Sequence, residues 1–333
     1  MKIVTTAENL QTYQAYLRII QIIEKFLQEN NYLKLDLPVL SPALIPESYL
    51  EIFKTEFRYL DTKDNLFLTP SPELFIKRLL SEGIGDCYSM GKSFRNSEPN
   101  SPKHQPEFTM LEWYKIGKDY KYMAQEVLKM LSAISWELFG KNTITYQGKS
   151  VSFDKWEEMT VAESFERYAE ISPEELFDAE KFMAKAKKKG YVIDEFSFED
   201  VWSQVYSQEI EGNLGTNGFP TVLYDYPIQF ASLSKPNSDG KTAQRFEFYI
   251  EGIELGNCFS ELTDAPLQKK RFIADDRERS RSGKIEHPVD WGFIDSLEKG
   301  LPESTGIAIG VERLGMIFTN SNQIEDLKLI TVR

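Results

Sequence analysis

Cysteine and histidine are scarce in this chain of 333 residues, which contains two of each. Cys87 and Cys258 are too few for a disulfide framework or a cysteine-based zinc site, so we expect two buried or free thiols. Because His104 and His287 are the only histidines, a histidine-rich metal site is excluded as well. Any bound metal ion is therefore expected to be a hard cation with oxygen ligands, and Mg²⁺ is the first candidate.

The sequence also lacks a targeting signal and a membrane span. Its first residues, MKIVTTAENLQTYQ, contain no apolar core of a signal peptide. No apolar run approaches the roughly 18 residues that a membrane-spanning helix needs. We therefore predict a cytoplasmic protein, and we find no internal repeat or low-complexity linker that would divide it.

Positive charge is in deficit, because 39 Lys and Arg residues face 52 Asp and Glu residues and the formal net charge is −13. A protein that grips a nucleic-acid backbone usually presents a basic face, so this balance argues against nucleic acid as the main partner. Two short basic runs, at 187–189 and 269–271, lie in helical patterns. We interpret them as solvated helix faces, with a local basic patch as the alternative.

The hydrophobic pattern predicts an α+β fold. With 41% hydrophobic residues the chain can bury a large core. Strands cluster in the middle of each half instead of alternating with helices, which favours an antiparallel sheet with helices packed on it. We predict a single domain over 1–333 with a helical insertion at about 153–211. The elements predicted by periodicity are helices at 8–32, 119–138, 265–282 and 289–299, and strands at 87–95, 106–116, 220–224, 245–251 and 253–261.

The segment EFTMLEWY, residues 107–114, carries the first candidate site. Alternation along a strand places Phe108, Met110, Glu112 and Tyr114 on one face. A carboxylate between two aromatic rings is costly to bury without a cationic partner. This face is therefore either a cation site or the solvent side of an edge strand, and the segment alone does not decide between them.

A second candidate lies in RFEFYIEGIELGNCFSELTD, residues 245–264. Glu251 and Gly252 interrupt two alternating runs and predict a hairpin turn. The turn would bring Glu247 close to Glu254 across the two strands. Two close carboxylates repel each other, so they require a divalent cation, a bound ammonium or a shared proton. The alternative is an exposed hairpin with scattered acids.

The strand that follows this turn needs an irregularity if its polar residues are to act together. Asn257, Phe259 and Glu261 share one face by parity, whereas Glu254 does not. A bulge at Gly256 would bring all four to the same face.

The third candidate is TGIAIGVERLGMIF, residues 305–318. A glycine between a strand and a helix exposes the first amides of the helix, which is a natural site for phosphate. Arg313 falls in the first turn of that helix. Taken alone the pattern is weak, because most such arginines form surface salt bridges.

Together these segments resemble the three signature motifs of a class II aminoacyl-tRNA synthetase catalytic core, of the lysine type. The opening helix with LKLDLP resembles motif 1, FRNSEPNSPKHQPEFTMLEWY resembles motif 2, and GIAIGVERLGMIF resembles motif 3. PSPELFIKRLL and RFEFYIEGIELGNCFSELTDA are similar to further lysine-type segments. The resemblance covers essentially the whole chain and implies an antiparallel sheet flanked by helices.

The resemblance also implies a function. Lysyl-tRNA synthetases have an amino-terminal OB-fold domain that reads the anticodon, whereas this sequence starts at the catalytic core. A core of this length is similar to the elongation factor P lysine ligases, which use ATP and Mg²⁺ to activate (R)-β-lysine and join it to a lysine of elongation factor P. The family implies a homodimer through motif 1, and tRNA is not the expected acceptor.

Two other functions stay open. One is a truncated lysyl-type enzyme that aminoacylates another acceptor. The other is a catalytically dead paralogue that senses lysine. Retention of Arg95, Glu247, Glu254 and Arg313 argues against the dead paralogue, since a pure binding module need not keep residues for triphosphate and metal.

The resemblance assigns roles residue by residue. Arg95 and Arg313 are the implied catalytic arginines, and Glu247 and Glu254 are the implied Mg²⁺ ligands. The implied ATP-binding residues are Arg95, Glu98, His104, Phe108, Glu247, Glu254 and Arg313. The implied substrate-binding residues are Ser71, Glu73, Glu112, Tyr114, Asn257, Phe259, Glu261 and Ala308.

Three positions distinguish this sequence within the resemblance. The family pattern FRNE reads FRNSE here, so either Ser97 or Glu98 fills the acid position. The family pattern HNPEF reads HQPEF, with Gln105 in place of the usual asparagine. Ala308 stands where lysyl-tRNA synthetases usually have glycine, and this change fits β-lysine better than α-lysine.

Overall fold

The structure is a computed structural model that describes residues 1–97 and 101–331. The strands are β1 Lys2–Ile3, β2 Leu33–Leu35, β3 Leu40–Ser41, β4 Phe53–Tyr59, β5 Thr62–Leu68, β6 Cys87–Phe94, β7 Glu107–Ile116, β8 Thr143–Tyr146, β9 Lys149–Ser152, β10 Glu157–Thr160, β11 Thr221–Pro227, β12 Thr242–Ile250, β13 Ile253–Ser260, β14 Ser304–Gly310 and β15 Ile330–Thr331. The helices are α1 Ala7–Glu29, α2 Glu73–Ser81, α3 Tyr120–Phe139, α4 Val161–Ala169, α5 Pro173–Leu176, α6 Ala179–Lys189, α7 Phe198–Val205, α8 Ala265–Arg281, α9 Trp291–Gly300 and α10 Val311–Thr319. Within the described ranges, no helix combines the length and apolarity needed to cross a membrane.

The chain forms two compact units. One unit, here called the terminal unit, consists of residues 1–118 and 261–333, and the other, the central unit, consists of residues 119–260. Both contain a sheet with helices, as the α+β prediction requires.

In the terminal unit the strand order is β14-β7-β6-β2. β7 pairs antiparallel with both β14 and β6, whereas β2 runs parallel to β6. Because β7 is an inner strand, the alternative that EFTMLEWY is an edge strand is wrong. Leu111 and Trp113 lie fully buried on one of its faces, and α10 packs on β7. The face with Glu112 is therefore the opposite one.

In the central unit the strand order is β10-β11-β12-β13. The antiparallel prediction is confirmed for β11, β12 and β13, but β10 runs parallel to β11. Parallel neighbours need a long crossover connection, and residues 161–220 provide one. This stretch contains α4 to α7, and its buried core includes Phe165, Phe182 and Trp202. The predicted helical insertion at about 153–211 also includes the strand β10.

A glycine sets how closely α10 approaches α1. A Cβ atom at Gly315 would lie 2.7 Å from Cδ2 of Tyr16 on α1 and 2.9 Å from Cδ1 of Leu327. Real Cβ atoms essentially never come this close to such neighbours. The position therefore requires glycine even though glycine is a poor helix former.

We predict that Gly315→Ala destabilises the protein by about 1–3 kcal/mol, because overpacking outweighs the gain of about 1 kcal/mol in helix propensity. Urea unfolding followed by circular dichroism measures this difference. Gly91→Ala is the matched control, since a Cβ atom there meets nothing within 4 Å. Equal stability of the Gly315→Ala variant and the native chain would contradict the packing argument.

Candidate active site

Glu112 is the centre of a buried polar cluster on β7. Its Oε1 accepts a hydrogen bond from the Ser71 hydroxyl at 2.5 Å, and its Oε2 accepts one from the Tyr114 hydroxyl at 3.1 Å. The side chain is only 2% exposed. Ala308 on β14 is the cross-strand neighbour of Glu112, so its methyl group lies beside this carboxylate.

A lysine that sequence reasoning missed joins two further predicted acids. Nζ of Lys77 lies 2.5 Å from Oε1 of Glu73 and 2.5 Å from Oε2 of Glu261. Lys77 is 2% exposed and Glu261 is fully buried. The signal was present in the sequence, because Lys77 follows Glu73 by four residues and therefore shares its side of α2.

Gly306, also missed, provides the space for this arrangement. It is the cross-strand neighbour of Tyr114 on β14. A Cβ atom at Gly306 would lie 2.3 Å from Cε1 of Tyr114 and 2.6 Å from Oε1 of Glu261. Among the described residues, Oε1 of Glu261 is buried and has no hydrogen-bond partner. An acceptor atom is thus left for a ligand.

We refer to Glu73, Lys77, Glu112 and Glu261 as the acidic pocket. Burial and the nearby Glu73 raise the pKa of Glu112 to about 8, although hydrogen bonds from Ser71 and Tyr114 oppose the shift. Burial likewise raises the pKa of Glu261 to about 8, although Lys77 lowers it. Three carboxylates against one ammonium leave the fully ionised pocket at a net charge of −2. The pocket is suited to a ligand with two cationic groups.

Arg95 and Phe108 face each other where β6 ends and β7 begins. The guanidinium carbon of Arg95 lies 5.4 Å from the ring centroid of Phe108, within the range of a cation–π interaction. The Arg95 backbone N–H donates to the Pro106 carbonyl at 2.9 Å, which ties the two strand ends together. Nε of Arg95 is buried without a hydrogen-bond partner among the described residues, so it can donate to an anion.

Arg313 occupies the first turn of α10 as predicted, and it holds the loop between β6 and β7. Its Nε donates to the Lys103 carbonyl at 3.1 Å, and its Nη2 donates to Nε2 of His104 at 2.8 Å. Nδ1 of His104 then carries the hydrogen and donates to the Ser101 hydroxyl at 2.7 Å. Burial, together with Arg313, Lys103 and Arg95, lowers the pKa of His104 to about 4, so the ring is neutral near pH 7.

Two loop positions complete the terminal unit. Glu98, one of two candidates for the motif 2 acid, lies outside the described residues, and Ser97 is exposed with φ of 56°.

Glu47 was missed by sequence reasoning. Burial and the nearby Glu73 raise the pKa of Glu47 to about 7, although Arg95 lowers it.

In the central unit, the predicted hairpin and its bulge are both present. Glu251 and Gly252 have φ of 50° and 68°, as a two-residue hairpin turn requires. The pairing steps from Gly256 to Glu254, which leaves Leu255 without a partner on β12. The bulge is thus at Leu255 and not at Gly256, because the glycine keeps its place opposite Phe248.

Asn257 pairs directly with Glu247, and the bulge brings Glu254 to the same face. Phe259 shares the face, since it pairs with Arg245 two residues from Glu247. Glu247 is 9% exposed, so the alternative of a solvent-exposed acid is wrong there. Repulsion by Glu254 adds to the effect of burial and raises the pKa of Glu247.

Hydrogen bonds already engage most of the Glu247 carboxylate. Oε2 accepts from the hydroxyls of Tyr226, at 2.6 Å, and Tyr249, and Oε1 accepts from Nη2 of Arg245 at 2.7 Å. About one of its four acceptor positions remains. Because Mg²⁺ binds through one or two carboxylates together with phosphate and water oxygens, the residues present fit this ion. Glu254 would be the main ligand and Glu247 the second.

The family model for class II tRNA synthetases (D, K and N) matches residues 2–330. The chain belongs to this family. It is 35% identical over 314 residues to the elongation factor P–(R)-β-lysine ligase of Mannheimia succiniciproducens, covering 93% of this chain and 91% of that protein. The enzyme of the same name from Vibrio cholerae is also 35% identical, with 92% and 91% covered.

The chain is also similar to lysine–tRNA ligases. The lysine–tRNA ligase of Thioalkalivibrio sulfidiphilus is 32% identical over 323 residues, which cover 96% of this chain. The chain spans 63% of the length of that relative. The positions of the residues that the resemblance singled out are those described above, and their roles in catalysis stay predictions.

We predict that Glu112→Gln stabilises the unliganded protein at pH 8 by about 1–3 kcal/mol and leaves its stability nearly unchanged at pH 5. The folded-state pKa of Glu112, about 8, exceeds the ordinary value of 4.5. The native chain therefore loses stability as the pH rises from about 5 through 8. Urea unfolding at both pH values measures the difference.

Glu298→Gln is the control, because this residue is exposed near the end of α9. Its effect on unfolding is expected to be small at both pH values. If the difference in free energy of unfolding between Glu112→Gln and the native chain is the same at pH 5 and pH 8, Glu112 does not have a raised pKa in the folded protein.

Proposed function

We propose that this chain activates (R)-β-lysine with ATP as an aminoacyl adenylate and transfers it to the ε-amine of a lysine on elongation factor P. The acidic pocket is the observation that carries the proposal, because it is two positive charges short of neutrality when its acids are ionised. Relatives named elongation factor P–(R)-β-lysine ligases, covered over 91% of their length, support the substrate and the acceptor.

The charges of the substrate match those of the pocket. β-Lysine and α-lysine each have two ammonium groups near neutral pH. Buried carboxylates are stable in ionised form only when cations pair with them. Two ammonium groups would neutralise Glu73, Glu112 and Glu261 together with Lys77, whereas an amino acid with one ammonium would leave one charge unpaired. Asn257 and Phe259 are the proposed further contacts to the substrate.

The arginines serve the nucleotide. Arg95 offers its buried Nε to the α-phosphate and the substrate carboxylate, and Phe108 stacks on adenine. Arg313 covers the other face of adenine, and neutral His104 lies near the triphosphate. Class II synthetases use ATP with Mg²⁺, which stabilises negative charge on the phosphates when it is bound. Glu254 and Glu247 are the proposed ligands of this ion.

Activation needs no covalent bond to the enzyme. An oxygen of the substrate carboxylate attacks the α-phosphorus of ATP, and pyrophosphate leaves as the adenylate forms. The neutral ε-amine of the acceptor lysine then attacks the adenylate carbonyl, and AMP leaves as the amide forms. The attacking nitrogen must lose a proton.

The acceptor is the finer part of the proposal. A net charge of −13 suits a protein acceptor better than tRNA, and a homodimer through α1 and the strand after it is included by analogy with the family. A relative that is a lysine–tRNA ligase matches 96% of this chain. Aminoacylation of a different acceptor is therefore the second candidate.

The decisive test is ATP–pyrophosphate exchange with (R)-β-lysine and with L-α-lysine, followed by mass spectrometry of elongation factor P after incubation. We expect strong exchange with β-lysine, weaker exchange with α-lysine, loss of exchange with EDTA, and a mass gain on the factor. Exchange without a mass gain would replace elongation factor P by another acceptor. No exchange with any lysine isomer would overturn activation itself.

Substrate preference gives a separate prediction at Ala308. Removing its methyl group beside Glu112 should admit α-lysine, since one methyl group is worth about 1–3 kcal/mol of discrimination. We therefore expect Ala308→Gly to raise the ratio of α-lysine to β-lysine in kcat/KM by about 10-fold or more. Ala243→Gly, at a buried position on β12, is the control and should leave the ratio unchanged. An unchanged ratio in Ala308→Gly would remove this residue from substrate selection.

A further inference from the structure

Lys77 is a buried ammonium that the activation chemistry does not use. It lies one helical turn after Glu73 on α2, and its Nζ is 2.5 Å from one oxygen of Glu73 and 2.5 Å from one of Glu261. The Phe293 ring centroid is 5.8 Å from the same nitrogen. With an exposure of 2%, this ammonium cannot turn towards water, so its charge acts inside the pocket.

The position of Lys77 determines how many charges the pocket presents. Without it, the three carboxylates would face a ligand that brings two ammonium groups, and one carboxylate would remain unpaired or protonated. With it, the pocket and a diamino acid add up to zero net charge. An uncompensated charge in this environment is far more costly than one at a surface.

Lys77 also controls which oxygens remain for a ligand. It takes up Oε2 of Glu261 and leaves Oε1, the atom that faces Gly306 and has no hydrogen-bond partner among the described residues. Burial alone would lower the pKa of Lys77, but Glu261 and Glu73 more than offset this and raise it. The ammonium therefore stays charged throughout the working pH range.

We infer that Lys77 is a positioning residue that fixes one carboxylate oxygen of Glu73 and one of Glu261 and sets at two the number of substrate ammonium groups that the pocket accepts. The inference rests on the proposed function for the identity of the diamino acid. Its charge argument applies to the unliganded protein as well, so one arm of the test needs no substrate.

The substrate arm uses the variants Glu73→Gln and Lys77→Met, alone and combined. Glu73→Gln leaves a fully ionised pocket with one negative charge too few for a diamino acid, and Lys77→Met leaves one too many. The double variant restores the charge of −2. We therefore expect the double variant to have a KM for lysine in pyrophosphate exchange at least about 10-fold lower than the value predicted by multiplying the fold-changes of the two single variants. A difference of this size is in the range measured for directly interacting residues.

A stricter outcome follows if Lys77→Met alone is too unstable to assay. The double variant should then have a lower KM for lysine than Glu73→Gln alone, although it contains one more mutation. The KM for ATP should change by less than about 2-fold, since Lys77 contacts Glu73, Glu261 and the Phe293 ring, and none of these is assigned to the nucleotide. If the fold-changes in KM for lysine of the single variants simply multiply in the double variant, Lys77 contributes packing only. The same holds if the double variant has a higher KM for lysine than Glu73→Gln, and either result would overturn the inference.

The substrate-free arm compares Lys77→Met, Lys77→Arg and the native chain by urea unfolding at pH 5.5 and pH 9. Removal of the cation should raise the pKa of Glu261 beyond its native value of about 8, so Lys77→Met should lose more stability at pH 9 than at pH 5.5. Lys77→Arg retains the charge and should show no added pH dependence. A pH-independent loss in Lys77→Met would also overturn the inference. If this arm succeeds while the native chain shows no exchange with any lysine, the proposed function fails and the charge role of Lys77 stands.

Discussion

Burial of carboxylates is the constraint on which the site depends. Glu112 and Glu261 are almost completely withdrawn from water, and an ionised carboxylate in such a place is unstable without cations or hydrogen-bond donors. The fold supplies part of this compensation through Lys77, Ser71 and Tyr114. The remainder has to come from a ligand, which is why the unliganded pocket binds protons so readily. The burial of these carboxylates makes the pocket suited to a ligand with two positive charges. The same burial makes the empty pocket unstable when its acids are ionised.

Sequence reasoning found what is encoded by local periodicity. Strand alternation placed Phe108, Glu112 and Tyr114 on one face, and the Glu251–Gly252 pair predicted the hairpin, because side-chain parity and left-handed turn residues are properties of short segments. It could not find Gly306, whose role is to leave space for Glu261 and Tyr114, since that role appears only when β14 lies beside β7. Lys77 was missed for a related reason: an amphipathic helix pattern does not tell a buried lysine from a solvated one. The parallel edge strands β2 and β10 depend on long crossovers, which no local pattern records.

The two units solve the problem of close acids in different ways. In the terminal unit a lysine separates Glu73 from Glu261 and leaves the pocket acidic. In the central unit Tyr226, Tyr249 and Arg245 saturate most of Glu247, which leaves about one of its four acceptor positions for a cation. The first arrangement suits ammonium groups, which need carboxylate oxygens at fixed positions. The second suits a hard metal ion that brings water and phosphate as its other ligands.

The most direct test of the account is calorimetric titration of the native chain with L-lysine and with norleucine, which lacks the second ammonium, at pH 7 in two buffers of different ionisation enthalpy. Glu112 and Glu261, with pKa values of about 8, are largely protonated in the unliganded pocket at this pH. They must ionise to receive ammonium groups. The account predicts that lysine binds with release of protons to the buffer and that norleucine binds far more weakly. Equal binding of the two amino acids, or lysine binding without proton release, would contradict it.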